Sequence, residues 1–235
     1  MKTKNKLAVF LTAVLMSFST HASAFEGFSI GATYSSLDFS TSGYETAAGE
    51  VVKGSSGSAS LEKNSTTKTG SGDIGSVFAE YTFAQGTTIG VEHISGTTEI
   101  GKGTRTQTTT GGGESGTVTA KASISDPTTF YVEPTFMVND RFGLYVKGGA
   151  TRVTIEPKEV TDSGSLVTST YKNQDVWGIM TGIGAKAYYN NFFVKAEYVE
   201  TAFESYSYQS TTGDKNSITA DVDTEETRIS IGYNF

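Results

Sequence analysis

The sequence has 235 residues, of which 25 are acidic and 18 are basic, so that its net charge is −7. A chain of this sign is a poor partner for nucleic acid, and the absence of cysteine excludes disulfide bonds and thiolate metal sites. Glycine occurs 27 times and proline three times, a composition that favours strands and turns.

The first 24 residues have the pattern of a cleaved secretory signal peptide. Three early lysines precede an apolar run of 12 residues, and residues 22–24 are Ala-Ser-Ala. The run is too short to span a bilayer as a helix, and a buried amino-terminal helix is the alternative interpretation. We therefore expect cleavage after Ala24, which leaves residues 25–235 as a single domain with a net charge of −10.

Eight later segments alternate between apolar and small or polar residues with a period of two, the pattern of a strand with one apolar face. In chain order they are Phe28–Ser35, Val77–Phe83, Ile89–Ser95, Phe130–Phe136, Leu144–Ala150, Trp177–Ala187, Phe192–Tyr198 and Thr227–Phe235. Pro134, in the fourth segment, lacks the amide proton that a sheet ladder uses. We expect a bulge or a missing hydrogen bond at that residue.

The connections between these segments alternate between short and long. Ala84–Thr87, Asn139–Arg141 and Tyr189–Asn191 have the residues of hairpin turns. The others are long loops, roughly residues 40–72, 96–125, 156–173 and 201–224. Short turns on one side and long loops on the other are typical of transmembrane barrels. The sequence therefore predicts an all-β fold: an eight-stranded antiparallel transmembrane β-barrel, an up-and-down meander with three short periplasmic turns and four long extracellular loops.

The polar faces of these segments contain four acids and four bases. They are Glu80, Glu92, Glu133, Lys147, Lys186, Lys195, Glu197 and Arg228. Placing the four bases against lipid would cost about 2–4 kcal/mol each near the midplane, a sum comparable with the stability of a whole domain, about 5–15 kcal/mol. We therefore expect all eight to face a closed lumen, unlike the solvated face of a soluble sandwich. They form either a structural salt-bridge plug or the lining of a narrow pore.

Aromatic residues are expected to form two girdles at the membrane surfaces. The residues near the short turns are Phe83, Phe136, Phe142, Tyr189, Phe192, Tyr233 and Phe235. Those towards the long loops are Tyr34, Phe39, Phe130, Trp177 and Tyr198.

Two of the long loops contain β-branched runs around glycine turns, which indicate hairpins that rise beyond the membrane. One surrounds Gly111–Gly113, and the other consists of Arg152–Val160 and Leu166–Tyr171 around residues 162–165. The last long loop ends in four acids, Asp221, Asp223, Glu225 and Glu226. We interpret them as a solvated loop base rather than as a cation site.

The signal peptide, the eight alternating segments, the three tight turns and the terminal Phe235 resemble the small OmpA-, OmpX- and Opa-type outer-membrane barrels. The resemblance implies a bacterial outer-membrane protein with no cofactor, in contact with outer-membrane lipids and lipopolysaccharide. It also implies recognition by the barrel-assembly machinery through the apolar face of the terminal strand, Ile229, Ile231, Tyr233 and Phe235. The rising hairpins resemble those of the OmpX type, whose exposed edges imply pairing with extracellular proteins.

His93 and Ser95 are the one pair that looks catalytic. Side chains two apart in a strand share a face, and a histidine beside a serine can activate it for acyl transfer. The pair resembles that of lipid A deacylase barrels, but Gly96 stands where that family has Asn, and the downstream Asn-Pro-Gly run is absent. We expect a non-enzymatic barrel that presents its loops for membrane integrity or adhesion. The alternatives are a narrow channel for small solutes or ions and, after it, a deacylase-like hydrolase.

Overall fold

The computed structural model describes residues 25–53, 59–107, 116–164, 170–209 and 217–235. The proposed signal peptide therefore lies outside the described residues. The strands are β1 Gly27–Lys53, β2 Ala59–Thr82, β3 Thr87–His93, β4 Thr97–Gln107, β5 Gly116–Asn139, β6 Phe142–Gly164, β7 Gln174–Tyr189, β8 Phe192–Phe203, β9 Tyr206–Gln209 and β10 Ser217–Asn234. Within these ranges, none of the chain forms a helix long and apolar enough to cross a bilayer.

The strands form one closed antiparallel ring. β1 pairs with β2 on one side and with β10 on the other, so the first and last strands close the wall. β3 and β4 both pair with β5, one after the other, and a bend at residues 94–96 separates them. In the same way β8 and β9 both pair with β10. The ten described strands thus occupy eight wall positions. The predicted eight-stranded antiparallel meander is confirmed.

Three tight turns join the strands at the end of the barrel that holds both ends of the domain. They comprise residues 83–86, 140–141 and 190–191. Gly86 (φ 86°) and Asn190 (φ 53°) have left-handed backbones, which Gly and Asn adopt more readily than other residues. In the first turn the Gly86 amide donates to the Phe83 carbonyl at 2.8 Å. Turn residues therefore fix these connections locally.

Pro134 interrupts one ladder, as its missing amide proton requires. The β5–β6 pairing runs through Val132 and Gly148, skips Glu133 and Pro134, and resumes at Thr135 and Tyr145. The register is the same on both sides of the gap. Of the two expected outcomes, the missing bond is therefore the one found.

The apolar face of the wall points outward. Ile229, Ile231 and Phe235 of the terminal strand are 57–68% exposed, and the aromatic residues of both predicted girdles are mostly exposed as well. Phe39 is a correction to the girdle prediction. It is only half-buried, and it packs on the inner side of the wall against a buried apolar cluster. Phe39 is four residues after the buried Ser35 in the same strand, so both side chains are on the inner face.

The strands continue well beyond the apolar band. β1 and β2 pair as far as Lys53 and Ala59, and β4 and β5 pair as far as Gln107 and Gly116. The hairpin predicted around residues 111–113 therefore has both of its limbs, although its tip lies outside the described residues. The first long loop, predicted as a loop over residues 40–72, is also a ladder.

The hairpin predicted in the third long loop is not formed in the described residues. The outer half of β6 pairs with β5, up to Gly164 opposite Gly116, and residues 170–173 form no strand. Most of the predicted return limb, namely residues 166–169, lies outside the described residues. β5 offers the closer partner because the two strands are already paired below.

The ring separates into two sheets at its outer end. One contains β2, β1, β10 and β9, and the other contains β4, β5 and β6. β2 and β3 pair only between Val77–His93 and Thr82–Thr88, and β4 pairs with β5 alone. Within the described residues a gap therefore opens between β2 beyond Val77 and β4.

Candidate functional site

Aromatic rings close the end of the lumen near the tight turns. Phe78, Tyr188 and Phe193 form a buried cluster, and Phe25 stacks on Tyr188 with ring centroids 3.7 Å apart. Rings of this size fill a narrow barrel without leaving polar groups unpaired. The aromatic cluster is the lower boundary of the polar interior described next.

Each of four inward-facing rings lies over a glycine on the neighbouring strand. The pairs are Gly31 with Phe78, Gly90 with Tyr131, Gly184 with Tyr145 and Gly232 with Phe193. A Cβ at any of these glycines would stand 2.2–2.4 Å from a carbon of the opposite ring. The glycines therefore let the rings lie flat across the lumen. The sequence analysis missed this arrangement, because it depends on which residues face each other.

Glu133 is the centre of the ion network above those rings. It is 0% exposed, and the Nζ atoms of Lys147, Lys186 and Lys195 lie 3.2, 3.4 and 3.0 Å from its carboxylate oxygens. Lys186 and Lys195 also contact Glu80, at 3.3 and 2.5 Å. A carboxylate surrounded by three ammonium groups retains its charge in the absence of water because each partner offsets its desolvation.

A second group of ions continues the network towards the outer end. Lys147 donates to Glu197 at 2.9 Å and lies 3.9 Å from Glu92. Glu92 also accepts hydrogen bonds from Arg228 and from the Ser76 hydroxyl. The Arg228 Nε atom stands 3.8 Å from Glu197. Charge-assisted hydrogen bonds thus link opposite walls of the barrel.

The lysines also lie over aromatic faces. Lys147 Nζ is 4.0 Å from the centroid of the Tyr131 ring, and Lys195 Nζ is 4.9 Å from that of Phe78. The Tyr131 hydroxyl donates to Glu80 at 3.0 Å. Cation–π contacts at these distances stabilise a charge that has lost its hydration.

The structure brings together all eight charged residues that the sequence analysis assigned to the lumen. Their exposure is 0–5%. We call the set Glu80, Glu92, Glu133, Lys147, Lys186, Lys195, Glu197 and Arg228, together with Glu226, the lumen charge cluster.

Glu226 is a correction to the sequence analysis, which placed it with the solvated acids of the last loop. Its side chain is 12% exposed, points inward and lies 3.8 Å from Arg228. Asp221, Asp223 and Glu225 are exposed on the opposite face. The spacing was available as a signal, since Glu226 is two residues before Arg228 and therefore shares its face.

A cavity of about 260 Å³ lies directly above the cluster. Its floor is formed by Glu92, Glu226 and Arg228, and its walls include Leu37 and Met180. The remaining apolar wall residues are Phe39, Ile74, Ile94, Ile124, Pro127, Val153 and Phe203, and threonines lie among them at positions 97, 98, 129, 151, 201 and 224. Beyond it a buried cluster of Val153, Ile155, Tyr171, Val176, Tyr206, Tyr208, Ala220 and Val222 fills the outer end.

The mouth of the cavity is in the side of the wall. Exposed residues 73 and 75 of β2 line it on one side, and exposed residues 95–98, at the bend and the start of β4, line it on the other. This is the gap between the two outer sheets described above. The cavity is therefore reached at the level where the apolar band ends.

Comparison with known proteins identifies the architecture. No protein-family model matches this sequence, and no curated protein matches it. Among solved structures, the chain is similar to the outer membrane protein OprG from Pseudomonas aeruginosa, with 13% identity and a TM-score of 0.51, over 92% of this chain and 98% of that one. This chain has the fold of a small outer-membrane β-barrel.

Two further outer-membrane barrels are less similar to it. Neisserial surface protein A has 12% identity and a TM-score of 0.43, over 87% of this chain and 99% of that one. The outer membrane protein AlkL has 14% identity and a TM-score of 0.40, over 92% and 95%. At 13% identity the likeness to OprG extends to the fold of the barrel alone.

The barrel does not bring His93 and Ser95 onto one face. β3 ends at His93, and the bend that follows contains Gly96 with φ 119°. His93 borders a shallow depression on the outer surface, where its Nδ1 atom is 3.0 Å from the Thr128 hydroxyl, whereas Ser95 lines the mouth of the inner cavity. The predicted shared face was wrong because it assumed that the strand continues through Ser95.

Beyond the apolar band the charged pairs of the described residues are exposed. Arg152 Nη2 donates to Asp175 Oδ2 at 2.5 Å, and the Thr154 hydroxyl donates to Oδ1 at 2.8 Å. These hydrogen bonds, with that from Arg152 the larger, lower the pKa of Asp175. Within the described residues no group of three or more acids or histidines is arranged to hold a metal ion.

Proposed function

We propose that this chain is a non-enzymatic integral protein of the bacterial outer membrane whose lumen charge cluster plugs the barrel. The observation that carries the proposal is the pairing of every lumen base with a carboxylate at 4 Å or less. Water does not reach these groups, since the eight predicted members are at most 5% exposed. An ion that crossed the lumen would have to break several buried pairs, which is costly.

Conductance in planar bilayers tests the plug. The purified barrel should give no discrete openings. Discrete openings that disappear or change selectivity in Lys147→Gln or Glu92→Gln would contradict the plug and support the second candidate function, a narrow ion-selective pore lined by the same charges. The cavity directly above the cluster is the observation that favours this second candidate.

We propose that the outer sheets carry the biological role, through adhesion or through contacts that maintain membrane integrity. Their support is the length of the ladders beyond the apolar band, to Lys53 and Ala59 in one sheet and to Gln107 and Gly116 in the other. In the described part of the chain β4 pairs with β5 alone, and a strand edge of this kind presents backbone donors and acceptors to a partner. An extracellular protein is the partner that such edges fit.

Two shortened variants separate the contributions of the sheets. In one, Asn-Gly joins Thr46 to Lys63; in the other, Asn-Gly joins Thr104 to Thr119, because each of these pairs is directly opposed. Cell adhesion and detergent sensitivity should change in at least one variant, while heat-modifiable migration on gels shows that the barrel remains folded. Unchanged phenotypes in both variants would contradict a surface role.

Export and insertion complete the proposal. Residues 1–24 are removed as a signal peptide, and the assembly machinery recognises the terminal strand through Ile229, Ile231, Tyr233 and Phe235, all outward-facing. The barrel then contacts outer-membrane lipids and lipopolysaccharide. Mass spectrometry should find Phe25 as the first residue, and Phe235→Ser should lower the amount of folded barrel in outer-membrane fractions.

The separation of His93 from Ser95 supports the non-enzymatic assignment. Lipid A from overexpressing cells should have an unchanged acyl pattern in mass spectra. A loss of acyl chains that depends on Ser95 would instead support the deacylase alternative.

A further inference from the structure

The cavity above the lumen charge cluster has the composition of a small-ligand site. Its volume, about 260 Å³, is slightly below the range of about 300–1,000 Å³ that ligand pockets usually have. Apolar side chains such as Leu37, Met180 and Phe203 share its walls with threonines, and charged groups converge at its floor. This combination binds the body of a ligand by burial and orients it by the polar contacts. The site is independent of the surface role proposed above.

The charges around the cavity favour a cation. Three carboxylates line it, those of Asp73, Glu92 and Glu226, against one base, Arg228. The lumen charge cluster as a whole contains five carboxylates and four bases. The lumen charge cluster therefore has one carboxylate more than it has bases, and an ammonium group in the cavity would balance it.

Glu226 is the carboxylate that is least compensated. Arg228 makes its closest contact with Glu92 and remains 3.8 Å from Glu226. Leu37 lies directly opposite Glu226 across the β1–β10 ladder, so an apolar side chain borders the carboxylate. The Ser35 hydroxyl hydrogen-bonds Glu226 without adding charge. An ammonium group in the cavity would supply the missing charge.

Arg228 does not neutralise Glu226 by a direct hydrogen bond. The residue is 5% exposed, and its Nε atom stands 3.8 Å from both Glu226 and Glu197, too far for a hydrogen bond to either. Glu226 is therefore left to pair with an ammonium group in the cavity.

We propose that this cavity binds a small organic amine with an apolar body. The ammonium group pairs with Glu226. The apolar body packs against Leu37, Met180 and Phe203. The ligand passes the mouth between β2 and β4, where the carboxylate of Asp73 attracts cations.

Three probes of matched size test the ligand class on the wild-type barrel in lipid nanodiscs: 2-amino-1-phenylethanol, 1-phenylethane-1,2-diol and mandelate. Isothermal titration calorimetry should give a Kd for the amine at least about tenfold lower than for the diol, with mandelate the weakest. Equal affinity for amine and diol, as expected if Glu226 is protonated, would overturn the proposal, as would tighter binding of mandelate. This series needs no variant to fold.

Adjacent glutamates on opposite faces of β10 provide a matched pair of variants. Glu226→Gln should weaken binding of the amine about tenfold and leave binding of the diol unchanged, whereas Glu226→Asp should retain the preference for the amine. Glu225→Gln is the control, because Glu225 is on the outer surface and accepts a hydrogen bond from Tyr198. Similar losses in Glu225→Gln and Glu226→Gln would show that the amine binds surface charge, and would overturn the proposal.

Discussion

The half of the barrel near the tight turns, the lower half, has an ionic interior. The half towards the long loops, the outer half, has an apolar interior, although the same strands build both. In β6 the lower half turns Leu144 outward and Lys147 inward, whereas the outer half turns Arg152 outward and buries Val153 and Ile155. From Leu144 to Ile155, even-numbered residues of β6 face outward and odd-numbered residues face inward. The aliphatic residues of this range are at even positions in the lower half and at odd positions in the outer half, so they change faces.

The terminal strand shows the same exchange. Ile229 and Ile231 face outward and Arg228 inward in the lower half, while Val222 is buried and Asp223 is exposed in the outer half. In the proposed outer-membrane location, lipid surrounds the lower half, so its apolar side chains lie outside and ions fill the interior. Water surrounds the outer half in that location, which therefore needs an ordinary apolar core. The level at which the apolar residues change faces would then mark the outer surface of the membrane.

The largest effect is expected from removing one charge from the ionic interior. Glu133→Gln leaves Lys147, Lys186 and Lys195 short of a carboxylate in a site without water. Removing one partner of a buried ion pair lowers the free energy of unfolding by about 3–5 kcal/mol, because the other charge stays buried without compensation. Urea unfolding in lipid vesicles, followed by the fluorescence of the single tryptophan, Trp177, measures the change.

Asp223→Asn is the matched control for Glu133→Gln, because it removes a carboxylate from the exposed face of the outer half. It should change the free energy of unfolding by no more than about 0.5 kcal/mol. Equal effects of the two substitutions would mean that the lumen charge cluster is hydrated, and the contrast between the two halves would be lost.

A smaller effect is expected from charging the outer face of the lower half. Ile183 is 63% exposed and lies midway along β7 between Trp177 and Tyr189. Ile183→Lys should destabilise the inserted barrel by about 2–4 kcal/mol, because a lysine near the midplane faces lipid. Gln174→Lys, on the exposed outer end of the same strand, should have almost no effect in the same unfolding assay. A tolerated Ile183→Lys would contradict the assignment of this face to lipid.

The alternation of side chains was sufficient to predict the lower half. Period two and turn residues are local properties, and the cost of placing lysines against lipid decides which face is inside. The outer half was predicted less well for the same reason. Residues 40–72 contain few apolar residues at regular spacing, so nothing local indicates that β1 and β2 continue there. Their pairing is imposed by the ladder that begins in the membrane.

The sequence contained a local signal for only part of the candidate site. Glu226 was grouped with its acidic neighbours, although its spacing of two residues from Arg228 already indicated the inner face. The rings over the glycines require the register between strands, as for Tyr131 opposite Gly90. Register is fixed by closure of the whole ring, which links β1 to β10 across almost the full chain length. A single segment therefore does not reveal it.

A third prediction concerns the close approach of rings and backbone in the lower half. A Cβ on Gly90 would lie 2.4 Å from Cζ of Tyr131, which itself holds Glu80 and lies under Lys147. Gly90→Ala should therefore destabilise the barrel by about 1–3 kcal/mol, as overpacking does. Gly72→Ala is the control, because no atom lies within 4 Å of its added Cβ. Equal stability of the two variants would contradict the tight packing of the rings.

The smallest effect is expected for an ion pair on the exposed face of the outer half. Arg152→Ala removes the main hydrogen bond that lowers the pKa of Asp175, so this pKa should rise towards its ordinary value of 3.8. Because the pKa is lowered in the folded state, any stability gained from the pair is complete above the ordinary pKa and is lost as the pH falls through the lowered one. NMR titration of the Asp175 carboxylate measures the shift.

Between pH 6 and 8 the free energy of unfolding of Arg152→Ala should match that of the wild type, because exposed pairs contribute little. A clear loss of stability in that range would show that water does not screen the outer face, and would weaken the explanation given for the exchange of interiors.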